Sequence, residues 1–254
     1  MSKWFVKYRY SDQARLRIFC FPYAGGSASA FTGWQDYFDD NIDLFAIQAP
    51  GRETRFKENP IEDLPIKVDL LFKEIHPFVN IPYIFVGHSN GALIAFELAR
   101  KLQKNKNFYL KHIFLSAKRA PHLPELKPPS YNLPYDDFIE ELKTFSTIPS
   151  EIINDPKMME VFIPMLRADF GLGAKHVFDQ KQKLGTGATL FWGQEDADAP
   201  KEDVIAWQKH IVGNVNSIGF NGGHFFIHDE KEKFISEIRN VVTAVINSEK
   251  MEII

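Results

Sequence analysis

The sequence predicts an α/β fold in which a mostly parallel central sheet is flanked by helices. Three observations lead to this prediction. Short apolar runs alternate with helix-period stretches, the runs are rich in aromatic and β-branched residues, and nearly all of them end at glycine, proline or a polar turn. The chain has 254 residues, 44% of them hydrophobic and 25% charged, and we expect residues 1–254 to form a single domain.

Six short runs are predicted as strands, at residues 16–21, 44–49, 83–86, 113–117, 189–192 and 216–220. The stretch 92–99 is apolar nearly all round, which predicts a helix buried across the middle of the sheet. Two further helices are predicted because apolar residues keep to one helical face. These residues are Val68, Leu71, Phe72 and Ile75, and then Phe234, Ile238, Val241 and Val245.

Residues 121–184 break this alternation. They contain prolines and two helix-like runs, near 135–145 and 157–170, but no convincing strand. An excursion of this length between two strands is normally an insertion with its own structure. We expect a helical lid over the site that the sheet presents, and the alternative is a helical elaboration that only packs against the domain.

Composition and charge exclude several classes of function. Thirty Lys and Arg against 33 Asp and Glu give a net charge of -3, so no bulk cationic field is available for nucleic acid or an anionic membrane. The single cysteine, Cys20, cannot form an internal disulfide, and the first residues lack the apolar region of a signal peptide. No apolar run is long enough to span a bilayer. We therefore expect a cytoplasmic protein.

Residues 87–91 carry the pattern G-x-S-x-G between a predicted strand and the predicted buried helix. In that context the pattern is typical of a sharp turn that displays a nucleophile at the carboxyl end of a strand. Glycine at the flanking positions lets strand and helix approach closely. Ser89 is therefore predicted as the nucleophile.

A serine nucleophile requires an adjacent base, and the base requires an orienting carboxylate. In folds with this turn, the chain order is serine, acid, histidine. Of eight histidines, His224 is predicted as the base because it lies in a glycine-rich turn after the last predicted strand, whereas His88 is expected to be structural. The acid is predicted in the turn 193–198, where Asp196 is preferred over Asp198 and then Glu195.

Attack on an acyl carbon generates an oxyanion, which prearranged backbone N–H groups stabilise. One donor is expected from Asn90, the residue after the nucleophile. The other is expected from the loop 21–26, with Ala24 preferred and Tyr23 as the alternative. The two glycines of this loop also fit a simple turn before a helix.

Six motifs together resemble a known family. They are FPYAGGSASAF at 21–31, APGRETRF at 49–56, GHSNGA at 87–92, LRADF at 166–170, GQED at 193–196 and GGHFF at 222–226. Their combination and order resemble the type II thioesterases of polyketide and nonribosomal peptide synthesis. The resemblance covers nearly the whole chain, and it implies an α/β-hydrolase fold with a helical lid at about 121–184. It also puts Ser89, Asp196 and His224 at the catalytic triad positions.

This resemblance implies hydrolysis of acyl or aminoacyl groups from the phosphopantetheine arm of acyl or peptidyl carrier proteins, as an editing reaction. No metal or organic cofactor is required for it, and we expect a monomer. The family usually has methionine after the nucleophile, where this chain has Asn90, whose side chain is expected to make the acyl pocket more polar. The predicted acyl-pocket residues are Tyr23, Phe162, Met165, Leu166, Phe170 and Phe225. Those in the predicted lid could instead pack it against the body.

Several charged residues have two interpretations. Arg52 and Arg55 are either solvated turn residues or contacts for the phosphate of pantetheine. Two basic groups are either solvated or dock an acidic carrier protein, namely Lys118 with Arg119, and Lys101, Lys104, Lys106 and Lys111. Three other functions remain open: a general carboxylesterase or lipase-like hydrolase, an acyltransferase with the same acyl-enzyme, and a catalytically silent binding module.

Overall fold

The computed structural model describes residues 2–105, 108–144 and 150–251, and a seven-stranded sheet lies at their centre. The strands are β1 Phe5–Arg9, β2 Leu16–Phe21, β3 Ile42–Ile47, β4 Tyr83–His88, β5 Leu110–Ser116, β6 Gly187–Gly193 and β7 Val215–Phe220. Their order is β1-β3-β2-β4-β5-β6-β7, and every neighbouring pair is parallel except β1 with β3. The predicted fold class is confirmed.

The six predicted strands correspond to β2–β7, with ends that differ by up to three residues. β1 was not predicted. It is an edge strand, paired antiparallel with β3, and its residues after Phe5 are only partly buried. The inner strands β2, β3 and β4 are buried along their whole length, so their apolar runs are longer and easier to recognise.

The α-helices of the described ranges are α1 Leu64–Ile75, α2 Asn90–Leu102, α3 Tyr135–Lys143, α4 Ser150–Ile153, α5 Pro156–Ala174, α6 Lys201–Ile205, α7 Phe226–Asp229 and α8 Lys231–Met251. Short 3-10 turns lie at Ala28–Phe31, Trp34–Tyr37, Glu53–Arg55, His76–Phe78, Ser130–Asn132 and Ala206–His210. Aspartate caps begin two of the helices. Asp63 accepts from the Ile66 N–H at 2.8 Å at the start of α1, and Asp155 accepts from two N–H groups at the start of α5.

Each face of the sheet has its own apolar core, because successive side chains of a strand point to opposite faces. Phe19, Phe45 and Phe85 pack on one face with α1 and α2. Ile18 and Ile84 pack on the other face with the buried side of α8. As predicted, α2 is buried on nearly all sides, since every residue except Glu97 and Lys101 is buried.

The segment between β5 and β6 contains α3, α4 and α5, and no strand is assigned to its described residues. A single bridge joins Leu184 to Ile211 at its end. The predicted run 157–170 lies within α5, and the run 135–145 corresponds to α3, with its last residue outside the described part of the chain. These helices share a small apolar cluster of their own. Across the described ranges, no helix is both long enough and apolar enough to cross a membrane.

Candidate active site

Ser89 lies at the tip of a sharp turn between β4 and α2. Its backbone has φ 54° and ψ -121°, a conformation that costs a non-glycine residue about 1–3 kcal/mol. A Cβ at Gly87 would lie 2.4 Å from the carbonyl oxygen of Gly91, and a Cβ at Gly91 would lie 2.0 Å from that of Phe21. The turn therefore requires both glycines. The Ser89 N–H donates to the Ser116 carbonyl at 2.8 Å, which ties the turn to the end of β5.

A chain of hydrogen bonds joins Ser89 to two side chains from later loops. His224 Nε2 lies 3.0 Å from Ser89 Oγ, and His224 Nδ1 lies 2.8 Å from Asp196 Oδ2. Asp196 follows β6 and His224 follows β7, and both strands run in the same direction as β4, so the three residues reach one edge of the sheet. Because an ionised carboxylate only accepts, Nδ1 carries the proton and Nε2 accepts from the serine hydroxyl.

The Asp196 carboxylate is fixed by its own turn. Its side chain is buried, and Oδ1 accepts the N–H groups of Asp198 and Ala199, both at 3.0 Å. Neither of the two alternative acids forms a hydrogen bond with His224 among the described residues. The Asp198 carboxylate lies 3.1 Å from Lys127 Nζ, and Glu195 is exposed.

His88 supports the backbone of His224 from the interior of the protein. It is fully buried, with Nε2 2.9 Å from the His224 carbonyl oxygen and Nδ1 2.8 Å from Ser116 Oγ. Burial, together with the charge of His224, lowers the pKa of His88 well below its usual value, so the ring is neutral. A carbonyl only accepts, so His88 Nε2–H donates to it and Ser116 donates to Nδ1. The structural role expected for His88 agrees with these contacts.

The residues whose backbone N–H groups are predicted as oxyanion donors line the same cavity as Ser89. Asn90 begins α2, where the first N–H groups have no acceptor within the helix. Tyr23 and Ala24 line the cavity from the loop after β2. The next residue of that loop, Gly25, has φ 74° and donates its N–H to Asp169 Oδ2 at 2.9 Å, which holds the loop against α5.

The Asn90 side chain is engaged at both ends. Its Nδ2 donates to the Asp169 carbonyl oxygen on α5 at 2.6 Å, and its Oδ1 accepts from Lys118 Nζ at 3.2 Å. Lys118 follows β5 and lines the cavity with Ser89 and His224. Burial lowers the pKa of the Lys118 ammonium. The polar character expected from Asn90 is therefore present as a pair of side chains, an amide and an ammonium.

A buried ion network centred on Asp169 underlies this region. Its Oδ2 accepts from Arg52 Nη1 at 2.8 Å, and its Oδ1 accepts from Arg52 Nη2 at 3.0 Å and from Lys67 Nζ at 3.3 Å. Burial raises the pKa of Asp169, but the charges of Arg52 and Lys67 and the hydrogen bonds reverse this effect and lower it to about 2. The network connects α5 with α1 and with the loop after β3.

The structure corrects the interpretation of Arg52 and Arg55 as solvated residues, because both are buried. Arg55 donates to the Gln48 carbonyl at 3.0 Å and to the Glu58 carboxylate at 2.6 Å, and its guanidinium lies 4.6 Å from the centre of the Trp4 ring. Each arginine is already paired with a carboxylate, Arg52 with the buried Asp169 and Arg55 with the partly exposed Glu58. The alternative role, binding of phosphate, therefore finds no support in this arrangement.

The proposed basic docking groups also differ from expectation. Lys118 faces the cavity, and Arg119 forms an ion pair with Asp203 at 2.7 Å, so they do not form an exposed basic patch. In the second group, Lys101 is paired with Asp69 on α1. Lys106 lies outside the described residues.

Two neighbouring cavities lie along the loop after β2, and the first of them adjoins the nucleophile turn. The first, of about 230 Å³, is lined by Ser89, His224 and four of the six predicted acyl-pocket residues, namely Tyr23, Leu166, Phe170 and Phe225. Phe162 and Met165 instead line the second cavity, of about 330 Å³. Tyr23, Ala24 and Leu166 are shared by both, so the loop after β2 and helix α5 form the wall between them.

Sequence reasoning missed three charged residues around this site. Lys118 was interpreted as either a solvated or a docking residue. Its position two residues after β5 was a usable signal, because the carboxyl ends of parallel strands share one edge. Asp169 belongs to a quoted motif but received no role. Lys67 is 102 residues away from Asp169, and no local pattern pairs them.

Comparison with known proteins places the chain in a family. A family model described as a thioesterase domain matches residues 16–241. The gramicidin S biosynthesis protein GrsT of Aneurinibacillus migulanus is 37% identical over 235 residues, which cover 92% of each chain.

Two solved structures agree with this result. RedJ, a thioesterase from the prodiginine pathway of Streptomyces coelicolor, is 28% identical with a TM-score of 0.83, covering 90% of this chain and 91% of RedJ. YbtT, a type II thioesterase from the yersiniabactin nonribosomal peptide and polyketide pathway, is 28% identical with a TM-score of 0.81, covering 92% of this chain and 96% of YbtT. The family model spans the turns that carry Ser89, Asp196 and His224, and the chain belongs to the thioesterase family.

Proposed function

We propose that this chain is a type II thioesterase that hydrolyses acyl or aminoacyl thioesters from the phosphopantetheine arm of carrier proteins. The observation that carries the proposal is the hydrogen-bonded chain of Ser89, His224 and Asp196 beside a cavity, in a member of the thioesterase family. The substrate class is supported by the relatives, since YbtT is named as a type II thioesterase of a peptide and polyketide pathway and GrsT as a gramicidin S biosynthesis protein.

In the proposed mechanism His224 acts first as a base and then as an acid. Its Nε2 removes the Ser89 proton while Oγ attacks the thioester carbon, and the imidazolium that forms is stabilised by the Asp196 carboxylate at 2.8 Å. The same nitrogen then returns the proton to the leaving pantetheine sulfur. Water, activated by His224, attacks the acyl-serine and releases the free acid and the serine hydroxyl.

The oxyanion of both steps is assigned to the N–H groups of Asn90 and Ala24. Asn90 is the first residue of α2, so the positive end of the helix dipole adds to the stabilisation of the negative charge. One such donor is typically worth about 3 kcal/mol in the transition state. Asp169 contributes by holding Gly25, next to Ala24, against α5.

We assign residues 121–184 as a lid inserted in a single domain of residues 1–254. Its helix α5 supplies Leu166 and Phe170 to the wall of the cavity that contains Ser89. It also contacts α2 through the Asn90 hydrogen bond, so the lid and the nucleophile turn meet directly. Such a lid would exclude water from the acyl-enzyme until the thiol has left.

The test follows carrier proteins loaded with acetyl, medium-chain acyl or aminoacyl groups by intact mass, with the wild type and with Ser89→Ala. We expect the acyl mass to disappear only with the wild type. Persistence of the acyl groups while a small oxygen ester is cleaved would replace the proposal with a general carboxylesterase. Appearance of the acyl group on an added acceptor would indicate an acyltransferase. Lack of labelling of Ser89 by a fluorophosphonate would indicate a silent binding module.

A further inference from the structure

Lys118 is a cation that lines the cavity beside Ser89 and has no direct ion-pair partner among the described residues. Among the described residues its ammonium has one hydrogen-bond acceptor, Asn90 Oδ1 at 3.2 Å, and no carboxylate forms an ion pair with it. An ammonium group has three N–H donors, so two remain for another partner. The cavity that Lys118 lines is the one that contains Ser89 and His224.

The chain holds Lys118 at this place by strained backbone and a firm anchor. Ala117, directly before it, has φ 49°, a left-handed conformation that an alanine rarely adopts. The Lys118 carbonyl accepts a hydrogen bond from Trp207 Nε1 at 2.8 Å, and Trp207 is fully buried. Strain of this kind persists only where the surroundings enforce it, and it is concentrated at functional sites.

Arg119, Asp198 and Glu125 are the other charged residues of the cavity lining, and the first two are paired with oppositely charged side chains. Arg119 is paired with a carboxylate on α6 at 2.7 Å, and Asp198 is paired with Lys127 at 3.1 Å. Glu125 is exposed and forms no ion pair with Lys118 among the described residues. Its charge raises the pKa of Lys118, and burial lowers that pKa by more. An anion brought into the cavity would therefore meet an ammonium group that no described carboxylate contacts directly.

Lys118 also lies close to the reacting centre. Its hydrogen-bond acceptor belongs to Asn90, which directly follows Ser89, and consecutive Cα atoms are about 3.8 Å apart. The cavity of about 230 Å³ is smaller than the roughly 300–1,000 Å³ of pockets for drug-sized ligands, so it suits a short acyl group. A short chain that starts at Ser89 can thus end beside the ammonium.

We propose that Lys118, oriented by Asn90, is a specificity-determining residue that binds a terminal carboxylate on a short acyl chain, so that half-thioesters of dicarboxylic acids are the preferred substrates. This inference rests on the proposed function, since it names the substrate class of the same site. The contact is a charge-assisted hydrogen bond in a partly buried setting, where such bonds are strong.

The test compares succinyl-pantetheine with butyryl-pantetheine, which have the same four-carbon chain and differ in the terminal carboxylate. We expect the wild type to show a kcat/KM ratio of succinyl over butyryl above about 10, and Lys118→Met to lower that ratio at least about 10-fold. Lys118→Arg keeps the charge and should retain part of the preference. Lys233→Met, which removes an exposed lysine of α8 that pairs with Glu230 and does not line this cavity, should leave the ratio unchanged. A ratio near one in the wild type, or an unchanged ratio in Lys118→Met, overturns the proposal.

A second measurement does not depend on thioester turnover. Succinate should slow labelling of Ser89 by a fluorophosphonate more than butyrate does in the wild type, and this difference should vanish in Lys118→Met. If succinate protects in this way while neither thioester is hydrolysed, the proposed function fails and the Lys118 assignment stands. If both thioesters are hydrolysed without a Lys118-dependent preference, the assignment fails and the proposed function stands.

Discussion

Asp169→Asn should strongly destabilise the protein, because the Asp169 carboxylate is the shared counter-charge of two buried cations. Arg52 contacts it through two hydrogen bonds, at 2.8 and 3.0 Å, and Lys67 through one at 3.3 Å. Removing one partner of a buried ion pair typically costs about 3–5 kcal/mol, since the remaining charge stays buried. In a domain of this size each kcal/mol lowers Tm by about 2–4 °C, so we expect a decrease of roughly 6–20 °C.

The pKa of Asp169 provides an independent magnitude and a pH signature. It is lowered from 3.8 to about 2, and each pKa unit corresponds to about 1.4 kcal/mol, so ionisation of Asp169 contributes about 2 kcal/mol to the free energy of unfolding. The folded-state pKa lies below the unfolded-state value. The contribution is therefore complete above about pH 5 and is lost as the pH falls through 3.8 towards 2. The difference in the free energy of unfolding between the wild type and Asp169→Asn should therefore become smaller as the pH is lowered over the same range.

Urea unfolding followed by tryptophan fluorescence at pH 7, 5 and 3.5 measures both effects. Asp198→Asn is the matched control, because the Asp198 carboxylate pairs with Lys127 at the surface, where the two side chains are 38% and 58% exposed. This control should lose less than about 1 kcal/mol. If Asp169→Asn loses no more than the control at pH 7, the reasoning from the buried network is refuted.

Four further predictions concern the site and the fold. Ser89→Ala should lower the rate of hydrolysis of an acyl-loaded carrier protein, followed by intact mass, at least about 10³-fold, while Tm changes by only a few degrees. An activity within a few-fold of wild type would show that Ser89 is not the nucleophile. Asp196→Asn should lower kcat about 10⁴-fold, whereas Asp198→Asn stays within a few-fold; equal losses would contradict the choice of acid. Gly91→Ala should abolish soluble expression, because its Cβ would lie 2.0 Å from a backbone carbonyl oxygen of the loop after β2, and a soluble variant with wild-type Tm would contradict this close approach of turn and loop. Burial lowers the pKa of His112 to about 4, so between about pH 6.5 and 4 the unfolded chain binds a proton that the folded protein does not. As the pH is lowered through this range, the free energy of unfolding measured in urea should decrease by about 3 kcal/mol, and His112→Gln should make this pH dependence flatter.

The fold was predictable where local sequence and burial agree. Strands β2, β3 and β4 are buried on every residue, so they appear as continuous apolar runs. The edge strand β1 escaped prediction because it is half-buried and pairs antiparallel with β3, an arrangement that depends on a partner about 40 residues later. Helix α5 was predicted from its helix-like run. The helix tolerates Pro164 in its interior because packing within the lid cluster stabilises it.

The residues of the site likewise fall into those that a local sequence pattern identifies and those that depend on distant contacts. Ser89, Asp196 and His224 each lie in a turn whose own sequence marks it, so the members of this hydrogen-bonded chain could be predicted one turn at a time. Arg52 could not, because its burial depends on a carboxylate 117 residues away. The ion pair between Arg52 and Asp169 is a tertiary contact, and no short segment of the sequence includes both residues.

Asn90 has one role that could be predicted from its position in the sequence and another that depends on tertiary contacts. Its backbone N–H has the same position whatever the side chain, so asparagine in place of the family's usual methionine leaves the proposed oxyanion donor in place. The side chain, by contrast, supplies the acceptor for Lys118 and a donor to the Asp169 carbonyl on α5. A methionine thioether provides no N–H donor and only a weak acceptor, and a buried ammonium without an acceptor is costly. Asn90 and Lys118 therefore form one functional unit, in which the amide orients a charge that the mechanism itself does not need, and this is the reason to look for that charge in substrate selection.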